Sequence, residues 1–74
     1  SDDMVKYEEL DVKVEELKEA IERLPDGYRV ILSLYLLEGY DHDEIAEILS
    51  ISSNTSRSQL SRAKQKLISE LRRK

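Results

Sequence analysis

Apolar residues recur at three- and four-residue steps through most of this chain, which predicts helices rather than strands. The first run passes through Leu10, Val14, Leu17, Ile21 and Leu24. It predicts a helix over about 12–23, with Glu15, Glu16, Glu19 and Glu22 on the opposite side. Pro25 ends that helix, because the residue before a proline is pushed out of the helical region. Asp26 is positioned to cap a second helix, predicted over about 26–38. Val30, Ile31, Leu34 and Leu37 form its expected inner set, helped by Tyr35, and Leu32 and Leu36 make it unusually apolar for a surface helix. Such a helix is either central to a bundle or offers one apolar side to a partner. Gly39 is its expected stop.

A third and a fourth helix follow, over about 42–49 and 53–72. Asp41 with Glu44 makes a capping-box pattern, and Ile45, Ala46, Ile48 and Leu49 then fall at helical spacing. Ala46 is small enough to let the next helix approach closely. Ser50-Ile51-Ser52 makes the turn, and the Ser52 hydroxyl is a good acceptor for an orphan amide at the start of the fourth helix. Two helices joined by so short a turn have the outline of a helix-turn-helix.

The fourth helix sorts by angle, at about 100° per residue. Ser56, Leu60, Ala63, Leu67 and Leu71 share the stripe expected to face the core. Asn54, Thr55, Ser58, Ser61, Arg62, Gln65 and Ser69 lie opposite, with Arg57, Lys64 and Lys66 on the flanks. No acidic group interrupts this outer face before Glu70. A solvated helix face usually mixes signs, often as Glu/Lys pairs one turn apart. Hydroxyls, an amide and arginine are instead the groups that fit a DNA major groove.

The run S-I-S-S-N-T-S-R-S-Q-L-S-R-A-K, Ser50 to Lys64, resembles the recognition-helix segment of region 4 of bacterial RNA polymerase sigma factors. It is most similar to the extracytoplasmic-function group. Leu24-Pro25-x-Gly27-Tyr28-Arg29 and Glu38-Gly39-Tyr40-x-x-x-Glu44-Ile45-Ala46 resemble the same family in order and spacing, so the likeness covers roughly residues 14–72. Ser50 and Asn54 stand where the family usually has glycine, and Ser56 stands where it has a buried valine. The valine replacement removes apolar area near the start of the recognition helix.

The resemblance implies a promoter-recognition domain that docks the upstream (−35) element while tethered to RNA polymerase. Its implied base contacts are Arg57, Ser58, Ser61 and Arg62. Its implied phosphate contacts are Ser52, Asn54, Thr55, Lys64 and Lys66, with the angle of Lys64 close to the buried stripe. The apolar second helix resembles the surface that holds the β-subunit flap of RNA polymerase, or an anti-sigma factor. Residues 1–11 are the expected flexible acidic lead-in, the end of an interdomain linker, and residues 12–74 the DNA-binding domain. The chain opens on Ser1 rather than Met, as a trimmed fragment would, and an upstream promoter-melting domain is expected to lie outside it.

Charge sharpens this reading. The 74 residues carry a net charge of −4, which alone argues against a polyanion as partner. Its distribution argues the reverse: the balance is −10 over residues 1–49 and +6 over residues 50–74. A chain so divided presents its basic end to DNA and turns its acidic end away, which also lowers non-specific affinity. Weak DNA binding is expected of the domain alone. The length suits one small helical domain. There is no cysteine, hence no disulfide framework or thiolate metal site, which fits a reducing cytoplasm. No apolar run is long enough for a membrane span.

Enzymatic readings find little support. His42 is the only histidine, with no second imidazole or thiol to work beside it. Asp41, Asp43 and Glu44 are explained by helix capping and the helix dipole. The two glycines, Gly27 and Gly39, form no phosphate loop, and Tyr7, Tyr28, Tyr35 and Tyr40 are too scattered for a base-stacking platform. The expectation is therefore a non-enzymatic, all-α, four-helix domain without cofactor. Two other classes fit the same residues. One is a helix-turn-helix regulator of the response-regulator type. The other is a sigma-like interaction module that occupies an anti-sigma factor without reading DNA.

Overall fold

The computed structural model describes residues 13–73. The expected lead-in over 1–11 and the start of the first helix at Val12 and Leu10 lie outside the described residues. Four helices follow in order: α1 (Val14–Glu22), α2 (Asp26–Leu32), α3 (His42–Leu49) and α4 (Ser53–Leu71). A π-helical segment, Ser33–Leu37, prolongs α2. There is no strand among the described residues, so the domain is all-α.

α4 is the longest element, and the other helices are packed around it. Its stripe meets the expectation: Ser56, Leu60, Ala63 and Leu67 are buried, and Leu71, the last helical residue, is half-buried. Against it lie Ala20 and Ile21 of α1, Leu24 of the α1–α2 link, Ile31 and Leu32 of α2, and Ile45 of α3. Burying a large aliphatic side chain contributes about 1.5–3 kcal/mol relative to exposure, and Ile21, Ile31, Leu32, Ile45 and Leu67 are all fully enclosed. This small set carries most of the core.

α2 departs from the expected pattern. Val30 and Leu37 are 45% and 43% exposed, whereas Leu32 is fully buried. The helix has two apolar stripes. Leu32 is the centre of one, flanked by Tyr28, Tyr35 and Leu36, and this one faces the core. Val30, Leu34 and Leu37 form the other, which lies beside α1; of the expected inner set, Ile31 is buried and Leu34 packs against the core, while Val30 and Leu37 do not. Similarly, Val14 at the start of α1 is exposed. Asp26 is not the cap of α2: Pro25 holds that place without a side-chain bond, and Asp26 is the first helical residue, its carboxylate accepting from the Arg29 guanidinium.

The end of the π-helical segment is wider than an α-helical end. The Glu38 amide donates to the Ser33 carbonyl (3.1 Å), and the Tyr40 amide reaches back to Leu34 (3.0 Å). Gly39 sits between them at φ +85°, a left-handed conformation that costs glycine little. Tyr40 is 38% exposed.

Candidate nucleic-acid interface

The helix-turn-helix is built from local signals. At the start of α3 the Asp41 carboxylate accepts from the Glu44 amide (2.9 Å), and the Glu44 carboxylate accepts from the Asp41 amide (2.9 Å). This is the expected capping box, and it satisfies two otherwise orphan donors. α3 ends at Ser50, whose φ of 59° and ψ of 45° are left-handed. The Ile51 amide bonds the Ala46 carbonyl (2.9 Å) and the Ser50 amide bonds the Glu47 carbonyl (3.3 Å), the pair of bonds of a Schellman turn. A serine thus occupies the place where glycine is favoured. α4 then starts on Ser52, whose hydroxyl accepts from the Thr55 amide (3.0 Å) and donates to the Thr55 hydroxyl (2.8 Å).

Ser56 shows why a polar residue can stand on the inner face. It is fully enclosed, and its hydroxyl donates to the His42 carbonyl (2.8 Å). The apolar area lost relative to valine is offset by a hydrogen bond that pins the first turn of α4 to the first turn of α3. The Ser53 hydroxyl adds a second tie, donating to the Asp43 carboxylate. Sequence periodicity marked Ser56 as inward-facing, but its carbonyl partner lies 14 residues away and carries no pattern.

The outer face of α4 is open. Asn54, Thr55, Arg57, Ser58, Arg62 and Lys66 are exposed, and Ser61 is partly so. Arg57, Ser58, Ser61 and Arg62, the four expected base contacts, together line one shallow depression of about 350 Å³. Arg62 also reaches a second depression on the other flank, shared with Gln59 and the Pro25–Gly27–Tyr28 corner. Glu70, the one acid within α4, is bonded to Arg23 at 2.6 Å, with Arg73 at 3.6 Å, and Asp41 of the turn before α3 borders the depression beside Arg57 and Ser61. Arg57, Arg62 and Lys66 are the exposed cations of this part of α4. His42 is half-exposed, its ring 3.5 Å from the Asp43 carboxylate.

Lys64 differs from the other expected phosphate contacts. It is only 8% exposed. Its ammonium lies 4.5 Å from the centroid of the Tyr35 ring and 3.4 Å from the phenol oxygen.

The family pattern described as "Sigma-70, region 4" matches residues 14–67, well over half of the chain. The chain belongs to the sigma-70 region 4 family. A sigma-70 region 4 domain binds promoter DNA through a helix-turn-helix as part of a sigma factor, the subunit with which RNA polymerase core starts transcription. It is a non-enzymatic DNA-binding domain, and membership sets aside the response-regulator alternative. No curated protein and no solved structure matches the chain. Among the described residues no group of acidic or histidine side chains is placed to hold a metal ion, and no helix is long and apolar enough to cross a membrane.

Proposed function

We propose that this sigma-70 region 4 domain reads the upstream (−35) promoter element as the C-terminal domain of an alternative sigma factor of the extracytoplasmic-function group. The observation that carries the reading is the shared depression of Arg57, Ser58, Ser61 and Arg62 on the exposed side of α4. Arginine forks onto guanine, and serine adapts to either bases or phosphates, so this set suits base edges in a major groove. Thr55, Asn54 and Lys66 flank it as phosphate contacts. Ser52 spends its donor on Thr55, which leaves the Thr55 hydroxyl as the group that donates to a phosphate oxygen. Lys64 drops out of the phosphate set, because its ammonium is engaged with Tyr35 beneath the surface.

The partner surface in this proposal is the second apolar stripe of α2. Val30, Leu34 and Leu37 line a groove of about 600 Å³ with Ile21 of α1, edged by Lys18, Arg29, Glu22 and Glu38. Its chemistry suits a short apolar helix, which is how it would take the β-subunit flap or, in competition with it, an anti-sigma factor. Residues 1–11 serve as the end of the linker to an upstream domain, residues 12–74 form the DNA-binding unit, and the protein acts in the cytoplasm.

The test is fluorescence-anisotropy titration with a pool of promoter-like duplexes at low and moderate salt. Sequence-selective binding that weakens steeply with salt is expected. Absence of selectivity at every salt, together with capture of the β flap, would replace direct reading by a domain that reads only when held on polymerase. Absence of both would leave the anti-sigma interaction module.

A further inference from the structure

A lysine on the inner side of a helix needs an explanation, because burying an ammonium is costly unless it is paired. The Lys64 stem packs into the domain, and its head reaches from α4 across to the π-helical segment, where it meets the face and the hydroxyl of Tyr35. The location of this contact matters more than its strength. Tyr35, Lys64, Asp41, His42, Arg57 and Ser61 surround one depression of about 330 Å³. Arg57 and Ser61 also line the depression of the base-reading set. Along α4, Lys64 lies one turn beyond Ser61 and two turns beyond Arg57. The Lys64–Tyr35 contact thus borders the same depression as the two residues on that flank.

We infer that Lys64 is a positioning residue for DNA reading, a brace that works through Tyr35 to hold the Arg57–Ser61 flank of α4 at a fixed rotation against the π-helical segment. This inference rests on α4 being the DNA-facing helix. It differs from a phosphate contact in what it leaves unchanged. A phosphate contact releases counterions, so its loss lowers the slope of log affinity against log salt by about one unit. A brace releases none, so its loss weakens binding with the slope intact. It also relaxes base preference on the Arg57–Ser61 side, leaving preference at the Arg62 end in place.

The experiment uses the full chain with the best duplex from the pool and its single-base variants, titrated by anisotropy at several salt concentrations. Circular dichroism melting checks that each variant folds. Lys64→Met keeps the stem and removes the ammonium. It should weaken binding by roughly three- to tenfold, the ratio that corresponds to one cation–π contact. Lys64→Arg, whose guanidinium also stacks on tyrosine, should bind as the parent does. Tyr35→Leu should reproduce the loss, and the double variant should be no weaker than the weaker single one. If Lys64→Met loses helicity, Lys64→Gln takes its place.

A salt slope lowered by about one unit in Lys64→Met would overturn the brace in favour of a direct phosphate contact. Unchanged affinity would reduce Lys64 to core packing, and fully additive losses would break its link to Tyr35. Either of these would leave the proposed −35 reading standing. Absence of selective binding by the parent chain would overturn both.

Discussion

Ser50 offers a sharp test of the backbone geometry. It holds a left-handed conformation, φ 59° and ψ 45°, at the turn between the two helices of the helix-turn-helix. That conformation costs a residue with a Cβ about 1–2 kcal/mol, through crowding with the following carbonyl. Glycine relieves the crowding but gives up about 0.5–1 kcal/mol in chain entropy on folding. The Ser50 hydroxyl makes no hydrogen bond among the described residues, so its removal subtracts nothing else. Ser50→Gly should therefore stabilise the domain by about 0.5–1 kcal/mol, or roughly 2–8 °C in melting temperature for a chain of this size. Ser50→Ala keeps the Cβ and the strain, so it should melt within a degree or two of the parent, as surface substitutions without a special role do. Thermal and urea melts followed by circular dichroism measure both. A midpoint for Ser50→Gly at or below that of Ser50→Ala would refute the argument, because the turn would then store no strain for glycine to release. DNA affinity should not change, since Ser50 lies outside the reading face.

Arg62→Ala should cost about 1–3 kcal/mol in DNA binding and relax preference at one base position; equal weakening on every sequence would remove its base-reading role. Lys66→Ala should weaken binding to all duplexes alike and lower the salt slope by about one unit, as a salt series will show. Ser56→Ala removes the donor to the His42 carbonyl, so it should destabilise the fold by about 0.5–1.5 kcal/mol in a urea melt. Ser56→Val, the residue more usual in the family, should recover part of that through apolar burial. A Ser56→Ala variant as stable as the parent would mean that this buried hydrogen bond adds nothing net.

The parts legible in the sequence are those written in a few consecutive residues. The Asp41–Glu44 capping box, the Ser52 cap and the α4 stripe all depend on neighbours within one or two turns, and the structure carries each of them. The orientation of α2 is another matter. Its two apolar stripes, one centred on Leu32 and one through Val30, Leu34 and Leu37, are nearly equal in hydrophobicity. Periodicity placed Ile31 and Leu34 correctly but gave no reason to bury Leu32 ahead of Val30 and Leu37. What decides is how α4 docks, a long-range fact. The π-helical segment has no distinct composition either: S-L-Y-L-L would serve equally well in an ordinary helix. At the candidate site, the angle around α4 brought Ser58, Ser61 and Arg62 to one face and set Arg57 on its flank; the resemblance added Arg57 to the base-contact set. That angle could place Lys64 only at the edge of the buried stripe. Whether its long side chain swings outward or inward depends on Tyr35, 29 residues earlier in the chain.

The two helices of the helix-turn-helix are tied together at three places: the Schellman turn, Ser56 to the His42 carbonyl, and Ser53 to the Asp43 carboxylate. A reader locked in this way has no hinge to close on its target. The cost of docking then falls on overall tumbling and on the long side chains that must be frozen, each worth about 0.5–1.5 kcal/mol. On the proposed reading, occupancy of a promoter is governed from outside, by how close polymerase holds the domain to DNA, because a short tether would raise the local concentration of a weak binder to roughly the millimolar range. In that proposal the rigid stylus sets which bases are read, and the length and stiffness of its attachment set how often they are read.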